Sequence, residues 1–167
     1  MTIPILSIVG KSGTGKTTFL ENLIPELKRR GYRVATIKHH FHPGFEIDYP
    51  GKDTWRHAKA GSDLVIIAAP DKIASIQRLD RELDLDEIVA GIQQVDIVLT
   101  EGYIRAGKPA LEVVKAEKGS ELLCRREQLF AIATDTPLEI EIPQFTLDDV
   151  PAIADLIESQ FLLPKIR

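Results

Sequence analysis

A glycine-rich segment near the start of the chain has the residue types and the spacing of a phosphate-binding loop. The pattern G-x-x-x-x-G-K followed by Ser or Thr is matched at every fixed position by the string Gly10-Lys11-Ser12-Gly13-Thr14-Gly15-Lys16-Thr17. Glycines allow a backbone with positive φ, which turns consecutive N–H groups towards phosphate oxygens. Lys16 would neutralise the β- and γ-phosphates, and the Thr17 hydroxyl would bind Mg²⁺. The segment therefore predicts a Walker A loop for a purine nucleotide with Mg²⁺.

Short apolar runs alternate with amphipathic stretches along the chain, and the phosphate-binding loop lies between the first of each. Helical spacing of apolar residues predicts helices at residues 16–30, 52–60, 85–94 and 149–161. Short apolar runs predict strands at residues 3–9, 33–38, 64–69, 72–79, 96–100, 111–115 and 129–134. The strands at 3–9, 64–69 and 96–100 are predicted to be buried. This alternation favours an α/β fold of three layers, a mostly parallel sheet with helices on both faces. We find no linker or repeat and expect a single domain over residues 1–167.

The metal ion needs a carboxylate at the end of a neighbouring strand, and residues 96–101 offer two. Asp96 opens the predicted strand, whereas Glu101 ends it. Ligands bind at the carboxyl edge of open α/β sheets, which favours Glu101. The alternative for Glu101 is a solvated acidic residue at a strand end.

A polar segment rich in histidine follows the second predicted strand. Lys38 and His39 would face an anion at the carboxyl edge of that strand, with Asp48 or Asp53 near Mg²⁺. Asp53 has a second interpretation, in which it only stabilises the N-terminus of a short helix. A zinc site formed by His39, His40 and His42 is a further alternative, although structural zinc usually takes four ligands including Cys or carboxylate.

Asp135 follows the predicted strand 129–134 and is a candidate for reading the base. A carboxylate at this edge would accept hydrogen bonds from guanine N1–H and the N2 amino group, two donors that adenine lacks. The alternative is that Asp135 starts a turn before Pro137. The residues leave both interpretations open.

Composition excludes several classes of protein. Apolar residues make up 44% and charged residues 28% of the 167 residues, which is typical of a globular domain and not of a disordered chain. The formal charge of −4 argues against a general nucleic-acid binder. No apolar stretch approaches the roughly 20 residues of a membrane span, and the first residues lack the basic flank of a signal peptide. A lone cysteine, Cys124, fits a reducing cytoplasm.

The order of motifs over residues 10–102 resembles one known family. The motifs are G-x-S-G-T-G-K-T-T, then K-H-H-F-H, then P-G-K-D-T, then a strand that ends in T-E-G. They are similar to those of the molybdopterin-guanine dinucleotide biosynthesis adaptor proteins, the MobB family. The chain departs from the family pattern after the last motif, where the family often has Phe-Lys and this chain has Tyr103-Ile104.

The resemblance implies a P-loop NTPase fold, GTP as ligand, weak Mg²⁺-dependent GTPase activity and a homodimer. Gly10 to Thr18 would hold the GTP phosphates, and Thr17 with Glu101 would hold Mg²⁺. The partner would be the guanylyltransferase MobA, which attaches GMP to molybdopterin. Contact between this chain and molybdopterin is a further option. Apolar residues at 45–50 and 72–79 are candidates for the contact with a partner.

Two other functions use the same loop. A small-molecule kinase would pass a phosphoryl group from ATP to a metabolite and would need an acceptor pocket and a mobile lid. A regulatory switch would bind nucleotide without chemistry of its own. Lys16 and Lys11 would supply catalytic charge with Glu101, but no residue is marked as the one that orients water. We therefore predict at most a slow GTPase.

Overall fold

Strands and helices alternate in the computed structural model, which describes residues 2–162. The strands are β1 (Ile5–Val9), β2 (Val34–Lys38), β3 (Leu64–Ala68), β4 (Ile73–Gln77), β5 (Ile97–Glu101), β6 (Ala110–Val114), β7 (Leu129–Thr134) and β8 (Gln144–Phe145). The helices are α1 (Lys16–Arg29), α2 (Asp53–Lys59), α3 (Leu85–Ala90) and α4 (Val150–Phe161). Short 3₁₀ turns lie at Ile104–Ala106, Ala116–Lys118 and Arg126–Gln128. None of the helices in residues 2–162 combines the length and the apolar character needed to cross a membrane.

The chain divides into two units. The larger unit comprises Met1–His39 and Asp84–Arg167, and the smaller comprises His40–Leu83. The larger unit contains a six-stranded sheet in the order β2-β5-β1-β6-β7-β8. Every neighbouring pair in that sheet is parallel. The predicted α/β fold with a mostly parallel sheet is confirmed.

The two faces of the six-stranded sheet bury different sets of side chains. Leu6 and Ile8 of β1 point to the face covered by α1 and α4, together with Leu23 and Ile157. Val9 belongs to the opposite face, which is packed by residues of connecting segments, among them Ile104, Leu122, Leu138 and Ile140. This alternation along β1 is the period of a strand buried on both faces. Burial on both faces fixes the register of β1 and with it the start of the phosphate-binding loop.

Arg30, whose side chain is buried, joins the C-terminal end of α1 to α4 through hydrogen bonds to carboxylates. Its guanidinium is 6% exposed and donates to Glu26 at 2.7 Å, to Asp155 at 2.6 Å and to the carbonyl oxygen of Pro151 at 2.9 Å. A further hydrogen bond of 2.5 Å reaches Glu158. Hydrogen bonds from Arg29 and Arg30 lower the pKa of Glu26 to about 2. A depressed folded-state pKa means that this carboxylate stabilises the fold above its ordinary pKa of 4.5, and the contribution is lost as the pH falls towards 2.

The smaller unit contains α2 and an antiparallel pair formed by β3 and β4. The prediction that residues 64–69 form a buried strand is wrong in its burial, because only Val65 of β3 is buried. Ile66 and Ile67 of the same strand are 52% and 58% exposed. The continuous apolar run that normally marks a strand covered on both sides here belongs to a hairpin outside the parallel sheet.

Helix α3 ends earlier than its apolar pattern predicted. The prediction extended to residue 94, but the helix stops at Ala90 and Gly91 is its C-cap. Gln94 then takes a left-handed φ of 59°. The start is fixed by a capping box, in which the Glu87 carboxylate accepts from the Asp84 N–H at 2.8 Å. Helix α4 starts as predicted, with Asp149 as its N-cap and Pro151 in its first turn.

Candidate nucleotide-binding site

The loop between β1 and α1 has the backbone that a phosphate-binding loop requires. Gly10, Gly13 and Gly15 have φ values of 144°, 78° and 91°, which side chains other than glycine rarely adopt. Gly10 is also fixed by space, because an added Cβ would collide with the carbonyl oxygen of Val113 in β6. Thr14 is buried, and its hydroxyl donates to the Lys11 carbonyl oxygen at 3.0 Å. Ser12, Thr17 and Thr18 are exposed along the rim of this loop.

Lys16 folds back over the loop. Its ammonium donates to the carbonyl oxygens of Gly10 at 2.9 Å and Lys11 at 3.0 Å. Burial lowers the pKa of Lys16, Glu101 raises it, and Lys38 lowers it again. A partly buried ammonium that is held by two neutral carbonyl oxygens is stabilised in its charged form by a nearby anion. The geometry therefore suits a phosphate.

Thr17, Lys38 and Glu101 meet at the carboxyl edge of the sheet. The Thr17 hydroxyl donates to the two Glu101 carboxylate oxygens at 3.1 and 3.2 Å, and Lys38 Nζ donates to Oε1 at 3.0 Å. The strand register explains the meeting, because Lys38 in β2 pairs with Glu101 in β5. A hydroxyl and a carboxylate side by side suit Mg²⁺, which takes one or two protein oxygens and completes its shell with phosphate and water. The site fits the implied metal ion.

Asp96 lies at the other end of β5. Its carboxylate accepts from the Arg33 backbone N–H at 2.7 Å, before β2 begins. The two carboxylates that the sequence offered are therefore separated by the length of one strand. Only Glu101 lies beside the phosphate-binding loop.

His39 and Tyr103 form an aromatic pair next to Glu101. The His39 N–H donates to the Glu101 carbonyl oxygen at 3.0 Å, and the two rings lie 4.6 Å apart between centroids. Gly102 and Tyr103 both take left-handed conformations, with φ of 96° and 58°. For Tyr103 such a φ is uncommon and costs free energy. The chain thus turns sharply after Glu101 and brings the Tyr103 ring onto His39.

Two other predicted site residues lie in different surroundings. Asp135 follows β7, and its Oδ1 accepts from the Ala116 N–H at 2.9 Å. Its role in reading guanine stays a prediction. Asp53 is the first residue of α2 in the smaller unit, where it is 89% exposed and lies 3.9 Å from Arg56. Its place at a helix start fits the helix-stabilising interpretation, and its role in metal binding stays a prediction.

The histidines do not form a zinc site within residues 2–162. No group of three or more His, Cys, Asp or Glu side chains there could hold a metal ion. His40 Nδ1 lies 2.7 Å from the carbonyl oxygen of His42, and their rings lie 6.1 Å apart.

The structure adds two lysines that the sequence patterns did not mark. The segment 115–123 between β6 and β7 places Lys115 near Gly15 and Lys118 near Gly13. Glu112, buried in β6, accepts from the N–H groups of Leu123 at 2.7 Å and Cys124 at 3.1 Å. Burial raises the pKa of Glu112. Lys115 and Lys118 reach the phosphate-binding loop through the 3₁₀ turn at Ala116–Lys118 and through the strand order of the sheet. Neither feature has a recognisable sequence motif.

The parallel sheet and the loop that leads from β1 into α1 define an α/β protein of the P-loop type. The profile of the family described as molybdopterin guanine dinucleotide synthesis protein B matches residues 5–135. The chain belongs to this family, MobB.

Named relatives and solved structures agree with the family profile. The molybdopterin-guanine dinucleotide biosynthesis adapter protein of Haemophilus influenzae is 39% identical over 94% of this chain and 89% of its own length. The Escherichia coli protein of the same description is 33% identical over 93% of this chain and 91% of its own length. The crystal structure of Bacillus subtilis MobB has a TM-score of 0.78 and 27% identity, and covers 98% of this chain and 100% of its own. A crystal structure of molybdopterin-guanine biosynthesis protein B has a TM-score of 0.73 and 35% identity, and the match covers 93% of this chain and 98% of that chain.

Proposed function

We propose that this protein is a GTP-binding adaptor in molybdenum cofactor biosynthesis that assists the attachment of GMP to molybdopterin. The observation that carries the proposal is the convergence of Lys16, Thr17 and Glu101 on the loop between β1 and α1 in a chain of the MobB family. Lys16 would contact the β- and γ-phosphates, while Thr17 and Glu101 would hold Mg²⁺. The adapter descriptions of the Haemophilus influenzae and Escherichia coli relatives support the same role.

Slow hydrolysis of GTP belongs to this proposal. Phosphoryl transfer to water needs charge stabilisation at the γ-phosphate and a group that orients the water. Lys16, Lys38 and Mg²⁺ would supply the charge. The Glu101 carboxylate is occupied by Thr17 and Lys38 and would serve the metal ion, so it is not a general base for water. We expect turnover well below the roughly 1 per second of ordinary kinases.

The partner in this proposal is the guanylyltransferase MobA, and the place of action is the cytoplasm. The net charge of −4 and the lone buried thiol of Cys124 agree with an intracellular protein whose partner is another protein and not nucleic acid. This chain would meet molybdopterin only within its complex with the guanylyltransferase.

Reconstituted attachment of GMP to molybdopterin tests the adaptor role. We expect this protein, added in equal amount to the guanylyltransferase, to raise product formation at limiting GTP. The gain should disappear with Lys16→Ala, because the adaptor then cannot hold the nucleotide. Lys28→Ala, which changes an exposed lysine of α1, is the matched control. The same product yield with and without the wild-type protein would contradict the adaptor role.

A homodimer formed through the hairpin of the smaller unit is part of the proposal. Leu64, Ile66 and Ile73 share one face of the β3–β4 pair and are 47%, 52% and 70% exposed. Nearby in the chain, Phe45 and Tyr49 are 61% and 71% exposed. Exposed apolar side chains that share one face of a hairpin are typical of a site of protein association.

Ile66→Asp combined with Ile73→Asp should convert the dimer to a monomer, because each change would bury an unpaired charge in the interface. The mass of the wild type and the variant in solution, measured by light scattering at equal concentration, shows the effect. Gln160→Asp, on the exposed side of α4, should leave the dimer intact. A monomeric wild type, or a double variant that is still dimeric, would contradict the proposal.

A further inference from the structure

The segment 115–123, which we call the lysine loop, lies against the phosphate-binding loop. Lys115 Cε and Nζ are 3.8 Å from the position that a Cβ on Gly15 would take. Lys118 Cε and Nζ are 3.4 and 3.6 Å from the corresponding position on Gly13. The two lysine side chains therefore reach the two glycines, with Lys115 half-buried and Lys118 exposed.

Lys11 fastens the lysine loop to the phosphate-binding loop. Its Nζ donates to the Lys118 carbonyl oxygen at 3.0 Å and lies 3.6 Å from the Glu121 carboxylate. The same ammonium lies 3.3 Å from the Cβ position of Gly119, which has a φ of 83°. A residue of the Walker A motif thus holds the segment that carries Lys115 and Lys118.

Two carboxylates fix the ends of the lysine loop. At its start, Asp135 accepts from the Ala116 N–H at 2.9 Å. At its end, Glu112, which is 1% exposed, accepts from the N–H groups of Leu123 and Cys124. A loop fastened at both ends presents its side chains with little loss of conformational freedom when a ligand binds.

The result is a concentration of positive charge in a protein whose net charge is −4. Ammonium groups of Lys11, Lys16, Lys115 and Lys118 border the phosphate-binding loop. Glu121, which pairs with Lys11, is 92% exposed. Positive charges held this close together repel each other, and an anion bound between them would offset that repulsion.

The strand order decides which part of the nucleotide these lysines face. Strand β1 lies between β5, which carries Glu101, and β6, which leads into the lysine loop. In the function proposed above, Mg²⁺ and the γ-phosphate would lie on the β5 side, beside Glu101. The N–H groups of the glycine-rich loop cradle the α- and β-phosphates, and Gly13 and Gly15 are part of that loop.

We propose that Lys115 and Lys118 bind the α- and β-phosphates of the nucleotide, with Lys11 holding the lysine loop in place. This proposal rests on nucleotide binding as proposed above and adds a second cationic wall, opposite the metal ion. Because both lysines would face phosphates that GTP and GDP share, they should contribute equally to the affinity for either nucleotide.

The test uses fluorescent GTP and GDP analogues with the full chain at several salt concentrations. Lys115→Met and Lys118→Met should each weaken both nucleotides about tenfold or more, the size expected for one charge-assisted hydrogen bond. The salt dependence of binding should fall as well, whereas the melting temperature without nucleotide should not. Lys115→Arg and Lys118→Arg, which keep the charge, should retain most of the affinity. Lys28→Met is the matched control.

Three results would overturn the proposal. The first is wild-type binding in both methionine variants while Lys16→Ala fails to bind, which leaves the proposed function intact. The second is a loss for GTP but not for GDP, which would place the lysines at the γ-phosphate. The third is a wild type that binds neither nucleotide, which would overturn the proposed function together with this proposal.

Discussion

Lys16→Ala should weaken GTP binding at least about 100-fold, because the variant loses charge-assisted hydrogen bonds to two phosphates. Within residues 2–162 the Lys16 ammonium donates to the carbonyl oxygens of Gly10 and Lys11 and forms no hydrogen bond to a carboxylate. Removing it leaves no buried charge behind, so the fold should tolerate the change. Calorimetric titration with GTP and Mg²⁺ measures the loss directly.

Lys28→Ala provides the control for that titration, since Lys28 is an exposed lysine of the same helix. Its affinity for GTP should equal that of the wild type. An affinity of Lys16→Ala within a few-fold of the wild type would mean that the loop does not bind the phosphates.

Arg30→Ala should lower the free energy of unfolding by about 1–3 kcal/mol, because a buried arginine loses its hydrogen bonds to carboxylates that stay partly solvated. The arginine is 6% exposed, and its removal takes that cation from Asp155 and Glu158, whereas Glu26 keeps its pair with Arg29. Because these groups join α1 to α4, the loss should appear as a lower midpoint of cooperative urea unfolding at neutral pH.

Arg29→Ala is the matched control for Arg30, because Arg29 pairs with the same Glu26 but is 63% exposed. An exposed pair contributes little to stability, so Arg29→Ala should destabilise the fold less than Arg30→Ala. Equal destabilisation by the two variants would contradict the idea that burial makes Arg30 the decisive partner.

The phosphate-binding motif and the mostly parallel sheet could be predicted because both depend on short-range sequence patterns. The Walker A spacing fixed the loop, and the position of Glu101 at the end of a buried run separated it from Asp96. A strand buried on both faces has one register that satisfies the core, so Glu101 had to reach the edge where Lys38 also ends.

Features that depend on long-range packing could not be predicted in the same way. The apolar run of β3 predicts a buried strand, since composition does not distinguish a sheet interior from an exposed hairpin. The positions of Lys115 and Lys118 depend on β6 lying next to β1 and on the hydrogen bonds of Glu112, an isolated acidic residue within an apolar strand. A charged residue within an apolar strand is the sequence signal that this side chain is buried with a hydrogen-bond partner.

Asp135 shows why guanine recognition stays a prediction. Its carboxylate already accepts from the Ala116 N–H through one oxygen. Recognition of guanine needs acceptors aimed at N1–H and the N2 amino group together. Discrimination between GTP and ATP therefore has to be measured, and it also separates the adaptor from the metabolite kinase that would use ATP.

The measurement that tests the central claim most directly is the affinity of the wild-type protein for GTP and ATP, each with and without Mg²⁺. The account predicts preference for GTP and tighter binding with Mg²⁺. The gain in affinity from Mg²⁺ should be lost in Glu101→Gln, which removes the carboxylate that would bind the metal ion. The gain should be kept in Asp86→Asn, which changes a carboxylate away from the site that accepts a hydrogen bond from Lys108 at 2.6 Å. Preference for ATP, or a gain from Mg²⁺ that Glu101→Gln leaves unchanged, would contradict it.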